Sequence, residues 1–257
     1  MLRNELLSAL NNLLSASSIS DFCPNGLQIE GRNNISKLVT GVTASEALID
    51  QAILENADAI LVHHGYFWKG ESAQVTGMKK RRIGKLLAHD INLLAYHLPI
   101  DVHASLGNNA QLGKMLQCSE ITSIESIQPL GIVMRGNLPK PMSHIELKTF
   151  LDKSLAPNST VSVGQKQSIR NIAWCTGGGQ SYIDQVFLAS QNTNSPIDAF
   201  ISGEISEQTT HSANEQGIDF FAAGHHATER YGVKAVGEWV QNQYAIDVKF
   251  IDIPNPA

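Results

Sequence analysis

Histidine and carboxylate residues form three short clusters that lie far apart in this chain of 257 residues. Each cluster follows an apolar run: DAILV precedes HHG at 63–65, INLLAY precedes HLPID at 97–101, and IDFFAAG precedes HHATE at 225–229. Ligands of open parallel sheets bind beyond the carboxyl ends of the strands, so clusters at several strand ends can converge. The pattern predicts one site that contains His63, His64, His97, Asp101, His225 and Glu229.

Spacing predicts how these side chains are presented. A helix that begins near residue 227 would place His225 and Glu229 one turn apart on one face. There they could bind one metal ion or bridge two. Asp101 also follows His97 by four residues, but Pro99 disfavours a regular helix, so we expect a structured loop there.

His63 and His64 are adjacent, and adjacent residues of a strand point to opposite faces. Both can therefore face one site only if the chain turns at the strand end, as Gly65 would allow.

Imidazole and carboxylate groups without a thiolate suit zinc, manganese, iron(II), nickel or cobalt. Three such ligands and an open position are enough for one catalytic metal ion, whereas the metal candidates are nearly enough for two: His63, His64, Asp101, His225 and Glu229. His97 is either a sixth ligand or a general acid or base, because imidazole titrates near neutral pH. We therefore expect two divalent ions per chain.

Histidine has many structural roles, so any one of these residues alone would more often be a hydrogen-bonded core or surface group. Three clusters with the same placement favour a metal or catalytic site instead. His103 and His226 are interpreted as residues that support the site or lie on the surface. We interpret His89, His144 and His211 as structural.

Strand-like runs rich in Val and Ile alternate with helix-length periodic segments, which predicts an α/β fold of parallel sheets covered by helices. The strands are expected at 37–42, 59–62, 91–96, 171–175, 198–201, 219–222 and 246–251. The helices are expected at 2–16, 44–55, 83–89, 104–117, 144–155, 182–191, 207–216 and 228–241.

A stretch without clear periodicity, 119–136, suggests two α/β lobes, 1–125 and 126–257. The leucines of the first helix are spaced for core packing rather than for a membrane surface. Gly177-Gly178-Gly179 lacks the other residues of a phosphate-binding loop, which favours a tight strand-to-helix turn with a close backbone approach.

Composition narrows the class of protein. The net charge of −5 gives no support for nucleic-acid binding that depends on phosphate contacts. Cys23, Cys118 and Cys175 are far apart and are interpreted as reduced thiols. Because the chain has no apolar run long enough for a membrane span and no signal-peptide pattern, we expect a cytoplasmic protein without membrane contact.

Two further segments, one basic and one aromatic, each have two alternative interpretations. The basic run from Lys79 to Arg82 is either a solvated charged segment or a contact for substrate phosphates. The aromatic triplet from Tyr66 to Trp68 either packs at an oligomer interface or forms an exposed patch for a partner protein.

Four motifs together resemble the Nif-three-like family, whose members are named GTP cyclohydrolase 1 type 2 homologues. They are CPNGLQIEG at 23–31, HHGYFWKG at 63–70, YHLPIDVH at 96–103 and GHHATERYGVKAVGEW at 224–239. The resemblance covers essentially the whole chain. The ending FIDIPNPA is similar to the bacterial branch without an inserted central domain.

The resemblance implies two α/β lobes, a toroidal homohexamer and a binuclear metal site in a cleft between the lobes. It places metal ligands at His63, His64, Asp101, His225 and Glu229, and it places His97 at the site as a ligand or a proton carrier. The metal, the substrate and the protein partners are left open.

The leading functional hypothesis is a hydrolase that uses two metal ions on a nucleotide-like substrate, with ring opening of GTP as the specific reaction. One alternative is a ring-shaped metal-binding regulatory or scaffold protein without turnover. Another is a metal-dependent phosphoesterase or damaged-nucleotide hydrolase.

Overall fold

The apolar strand runs of the sequence become the centres of two mixed sheets. The computed structural model describes residues 1–157, 159–191 and 193–257. They form two compact units, one of residues 1–100 and 232–254 and one of residues 101–231 and 255–257.

The first unit is built on a sheet that has five strands among the described residues, in the order β1-β4-β3-β2-β11. β11, β2, β3 and β4 are parallel, and β1 pairs with β4 in the antiparallel sense. The elements are α1 (Arg3–Leu13), β1 (Gly26–Ile29), β2 (Lys37–Thr43), α2 (Glu46–Leu54), β3 (Ala59–His64), α3 (Gly77–Ala88), β4 (Asn92–Ala95) and β11 (Asp247–Phe250).

The second unit is built on a sheet that has six strands among the described residues, in the order β5-β6-β8-β9-β10-β7. β8, β9 and β10 are parallel, and the remaining strands pair in the antiparallel sense. The elements are α5 (Asn108–Met115), β5 (Ser119–Ser123), β6 (Met134–Met142), α6 (His144–Ser154), β7 (Val161–Val163), β8 (Ile169–Cys175), α7 (Ile183–Gln191), β9 (Ala199–Ser202), α8 (Glu207–Gln216) and β10 (Asp219–Ala222).

Two helices begin in one unit and end in the other. They are α4 (Leu98–Val102) and α9 (His225–Gln243). The loop that we predicted between His97 and Asp101 is wrong, because α4 covers most of that segment. Pro99 is tolerated there because it lies in the first turn, where backbone N–H groups have no partner within the helix.

Each unit has its own apolar core. Val39, Ile60 and Val62 from the parallel strands pack with Leu48 of α2 in the first unit. The second core includes Trp174, Ile201 and Phe221 from three strands, with Leu147 and Leu151 of α6. Parallel strands are buried on both faces, which explains why they read as continuous apolar runs.

The α/β class and the parallel strands that follow long apolar runs agree with the prediction. The antiparallel strands β1, β5, β6 and β7 were not predicted, and all of them except β6 lie at a sheet edge. β5 and β7 are short and half-exposed, and β6 contains Pro139 and Pro141, which disfavour a strand assignment from sequence. Edge strands bury too little apolar surface to show the pattern that marks central strands.

The compact units divide the chain differently from the predicted lobes 1–125 and 126–257. Residues 101–125 belong to the second unit because β5 pairs with β6. Residues 232–254 belong to the first unit because β11 pairs with β2.

Leu6 and Leu10 of α1 are buried, which confirms core packing for the first helix. None of the helices within the described ranges is long and apolar enough to cross a membrane.

Candidate metal centre

Three histidines of the first unit lie side by side at the carboxyl ends of β3 and β4. The ring centroids of His63 and His64 are 4.5 Å apart, and that of His97 is 5.1 Å from His63 and 5.8 Å from His64. One nitrogen from each ring lies within 4.8 Å of the other two, so the group could hold a metal ion. β3 and β4 are neighbouring parallel strands, which brings their ends to one edge of the sheet.

Gly65 allows close packing beside this cluster. A Cβ atom at Gly65 would collide with the side chains of Gln28 and Ala95, so no larger residue fits without a shift. The predicted role for Gly65 was a turn; the close packing of Gln28 and Ala95 gives a further reason for glycine at this position.

Each histidine of this cluster is held through Nδ1. Nδ1 of His63 lies 3.2 Å from the carbonyl oxygen of Tyr96, and Nδ1 of His64 lies 3.2 Å from Oγ1 of Thr43. A carbonyl oxygen can only accept, so His63 carries its proton on Nδ1 and presents the lone pair of Nε2. A threonine hydroxyl can donate or accept, so this contact orients the His64 ring without fixing its tautomer.

The third histidine, His97, is held by a carboxylate. Nδ1 of His97 lies 2.7 Å from Oδ1 of Asp21, whose side chain is 2% exposed. Asp21 also accepts hydrogen bonds from the backbone N–H groups of Phe22 and Leu98 and from the amide of Asn25. Burial raises the pKa of Asp21, but the hydrogen bonds from His97 and Asn25 and the charge of His97 outweigh it, and the pKa is lowered.

The aromatic triplet does not form an exposed apolar patch. Tyr66 is buried and donates its hydroxyl hydrogen to the carbonyl oxygen of Ala44 at 2.7 Å. The ring of Trp68 packs edge-on against His97 with centroids 4.9 Å apart. Phe67 is 38% exposed. Tyr66 and Trp68 therefore make contacts within the first unit, and the oligomer interface and the partner contact both stay predictions for this triplet.

In the second unit, His225 and Glu229 lie on the first turns of α9. The helix begins at His225, two residues earlier than predicted, and places Nε2 of His225 3.1 Å from Oε2 of Glu229. The prediction that the two residues share one helix face is confirmed. Glu229 is 3% exposed.

A second carboxylate holds the other nitrogen of His225. Oε1 of Glu204 lies 2.7 Å from Nδ1 of His225, so His225 directs Nε2 toward Glu229. Burial lowers the pKa of His225, but the hydrogen bonds and charges of Glu229 and Glu204 raise it to about 9. A metal ion that binds Nε2 must therefore displace a proton.

Gly177 makes room for this pair directly after β8. It has φ +63, and a Cβ atom there would collide with the carboxylate of Glu229. Its N–H donates to Oγ1 of Thr228 at 3.0 Å, and its carbonyl accepts from the N–H of Gly203 at 2.8 Å. The predicted tight turn with a close backbone approach is confirmed.

Asp101 lies on α4 and is 4% exposed. Its Oδ1 accepts a hydrogen bond from Nδ2 of Asn108 at 2.8 Å and one from Oγ1 of Thr176 at 3.4 Å. These two donors orient the carboxylate of Asp101.

The remaining histidines differ in their surroundings. Nδ1 of His103 accepts the N–H groups of Ser105 and Leu106 and so closes a turn. His226 is 8% exposed, so of its two predicted roles the surface one is excluded and the supporting one stays a prediction. His89 and His211 are exposed.

His144 is held on both sides by protein groups, which agrees with a structural role. Its Nδ1 lies 2.7 Å from Asp219 and its Nε2 lies 2.9 Å from Oγ of Ser162.

The basic run lies at the start of α3, and two of its members pair with acids of the same unit. Nζ of Lys79 is 3.2 Å from Glu71, and Nε of Arg81 is 3.2 Å from Glu46. These ion pairs favour the interpretation as a charged surface segment.

Sequence reasoning missed Asp21, Asn25, Glu204, Asn108 and Thr176. Glu204 follows the end of β9 by two residues, and Thr176 follows β8 directly, so the strand-end criterion could have found both. Asp21 precedes the CPNG segment without any local pattern, and only the fold brings it to His97.

The fold and the clusters define a class: α/β proteins with imidazole and carboxylate groups at the ends of parallel strands. The profile of the family described as Duf34/NIF3 (NGG1p interacting factor 3) matches residues 1–256, and the chain belongs to this family.

Curated relatives named "GTP cyclohydrolase 1 type 2 homolog" include one from Yersinia pestis, 53% identical over 255 residues and 98% of each chain. Another, from Escherichia coli (strain K12), is 50% identical over 259 residues and the whole of each chain.

Solved structures support the same assignment. A structure titled "Structural genomics, protein ybgI, unknown function" is 49% identical with a TM-score of 0.94 over the whole of both chains. A Thermus thermophilus protein, TTHA1606, is 28% identical with a TM-score of 0.85 and covers 99% of each chain.

Proposed function

We propose that the chain binds two divalent metal ions through His63, His64, Asp101, His225 and Glu229 and hydrolyses a nucleotide-like substrate. The observation that carries the proposal is the way the histidines are anchored. Two of the proposed ligands, His63 and His225, place Nδ1 against an oxygen that accepts its proton: a carbonyl oxygen for His63 and a carboxylate for His225. Metal-binding histidines are held in this way, because the anchored Nδ1–H leaves Nε2 as the ligand atom.

The donor set fits a first-row divalent ion. The five residues supply three imidazoles and two carboxylates, and hydrogen bonds from Asn108 and Thr176 orient the carboxylate of Asp101. When bound, two such ions lower the pKa of water toward neutrality and polarise the substrate. His97 is not needed as a ligand in this assignment and serves as the general acid or base.

The chain's own residues account for positioning and proton transfer. Asp21 and Glu204 orient His97 and His225, and Trp68 covers one side of the His97 ring. The specific reaction that we propose is the ring opening of GTP, because the curated relatives carry that name. A panel of GTP, other nucleoside triphosphates and a phosphodiester tests the substrate class.

Elemental analysis of protein purified without chelator or added metal tests the metal proposal. We expect about two first-row ions per chain. A protein that is metal-free and takes up no added zinc, manganese, iron, nickel or cobalt would contradict it.

A matched pair of variants localises the ions. Glu229→Gln should lose metal and keep its far-ultraviolet circular dichroism, whereas Glu238→Gln, exposed on the same helix, should keep both. Unchanged metal content in Glu229→Gln would remove Glu229 from the ligand set.

We further propose that the chain forms a homohexamer in the cytoplasm, on the basis of the family resemblance and the reduced cysteines. Light scattering should give a mass near six times 27.9 kDa. A mass near that of one chain would contradict the proposed hexamer.

A further inference from the structure

We infer that Asp21 is a positioning residue that fixes the tautomer of His97: it holds the ring's proton on Nδ1 and leaves the lone pair on Nε2. The assignment of a proton-carrying role rests on the proposed function. The tautomer assignment rests only on contacts within the first unit.

The surrounding groups require both carboxylate oxygens of Asp21 to act as hydrogen-bond acceptors. Oδ1 lies 2.6 Å from the N–H of Phe22 and 2.7 Å from Nδ1 of His97. Oδ2 lies 2.9 Å from Nδ2 of Asn25 and 2.9 Å from the N–H of Leu98. Each oxygen therefore contacts one backbone N–H, which can only donate. The carboxylate accepts these hydrogen bonds, and it also accepts the one from Nδ1 of His97.

The same loop holds the backbone of His97. Oδ1 of Asn25 accepts the N–H of His97 at 2.8 Å, so the ring and the main chain of His97 are clamped together. Trp68 packs edge-on against the ring. The imidazole consequently cannot rotate without breaking these contacts, and its proton is held on Nδ1.

The anchor of His97 differs from those of His63 and His64. Those rings contact a neutral carbonyl and a neutral hydroxyl, whereas His97 contacts a carboxylate whose side chain is 2% exposed. His97 is thus the member of this cluster whose tautomer is set by a charged group.

A cavity of about 420 Å³ lies beside the anchor and is lined by Asp21 together with Asn11, Cys23 and Asn25. Truncation of Asp21 to alanine would open a carboxylate-sized space next to this cavity. A small carboxylate such as formate could then enter and replace the missing group.

The experiment compares Asp21→Ala with Asp58→Ala, because both remove a buried carboxylate of the first unit and only Asp21 contacts an imidazole. Nitrogen NMR on metal-free protein reads the tautomer of His97. We expect the Nδ1–H tautomer in the unmodified chain and in Asp58→Ala, its loss in Asp21→Ala, and its return with formate. Asp21→Asn, which keeps the size of the side chain, serves if Asp21→Ala does not fold.

Metal content and hydrolysis are measured on the same proteins. Asp21→Ala should keep its metal and lose about 100-fold in rate, with partial recovery in formate. A tautomer that is unchanged in Asp21→Ala, or one that formate fails to restore, would overturn the inference. An equal loss of metal and rate would make His97 a ligand and overturn its role as a proton carrier.

The proposed function and the role of Asp21 can be contradicted independently of each other. If the unmodified chain binds no metal and hydrolyses nothing, the proposed function fails, while the tautomer of His97 in metal-free protein still decides the role of Asp21.

Discussion

Oε1 of Glu204 lies 2.7 Å from Nδ1 of His225, so a carboxylate that is itself 45% exposed sets which nitrogen of His225 faces Glu229. Oε2 of Glu204 accepts the amide of Gln180 at 3.1 Å. Glu204 is therefore held by its neighbours while it orients the imidazole.

Glu204→Gln should weaken metal binding about 10–100-fold without unfolding the chain, because partners of metal-binding histidines typically contribute that much. Titration calorimetry with zinc measures the affinity. Glu207→Gln, an exposed glutamate nearby, is the control and should bind like the unmodified chain. Equal affinities in all three proteins would show that Glu204 does not position His225.

Gly177→Ala should abolish metal binding, because the added Cβ atom would displace the carboxylate of Glu229. Gly217→Ala is a matched control: Gly217 has φ +67, close to the φ +63 of Gly177, but nothing lies within 4 Å of its Cβ position. Both variants should lose about 1–3 kcal/mol of stability through backbone strain. Elemental analysis should separate them; retained metal in Gly177→Ala would contradict the assignment.

Asp58 should contribute stability that depends on pH. Burial raises its pKa, but hydrogen bonds from Ser36 and Lys37 and the charge of Arg32 outweigh it, so the pKa of Asp58 in the folded chain is lower than that of an ordinary aspartate. The contribution is then complete above the unfolded pKa and disappears as pH falls through the folded pKa.

Asp58→Asn should therefore cost about 1–3 kcal/mol near pH 7, where a charged hydrogen-bond acceptor is lost. The difference from the unmodified chain should shrink below about pH 4, near the unfolded pKa of Asp. Urea denaturation at several pH values measures it. A difference that is constant with pH would show that ionisation of Asp58 does not matter.

Ser162, His144 and Asp219 form hydrogen bonds in the order found in serine hydrolases, but we expect them to be structural. They tie β7, the start of α6 and the start of β10 together, and Asp219 also accepts the N–H of Lys166 at 2.9 Å. His144→Ala should cost about 1–3 kcal/mol of stability because buried partners lose their hydrogen bonds. Labelling of Ser162 by a fluorophosphonate probe would contradict this expectation.

The sequence by itself determined the α/β class and the strand ends that carry the chemistry. Runs such as those before His63 and His225 are apolar because their strands are buried on both faces. Such strands can therefore be recognised from the local sequence alone. The position of His225 and Glu229 on one helix face was also predictable from the sequence, because a spacing of four residues is about one helical turn.

Only the tertiary structure decided which groups hold these side chains. Asp21 and His97 are 76 residues apart, and Glu204 and His225 are 21 apart, so no local periodicity connects them. The antiparallel edge strands and the helix through Pro99 were likewise set by pairing and packing. Long-range hydrogen bonds depend on where the chain returns in space, and that position follows from the packing of the whole unit.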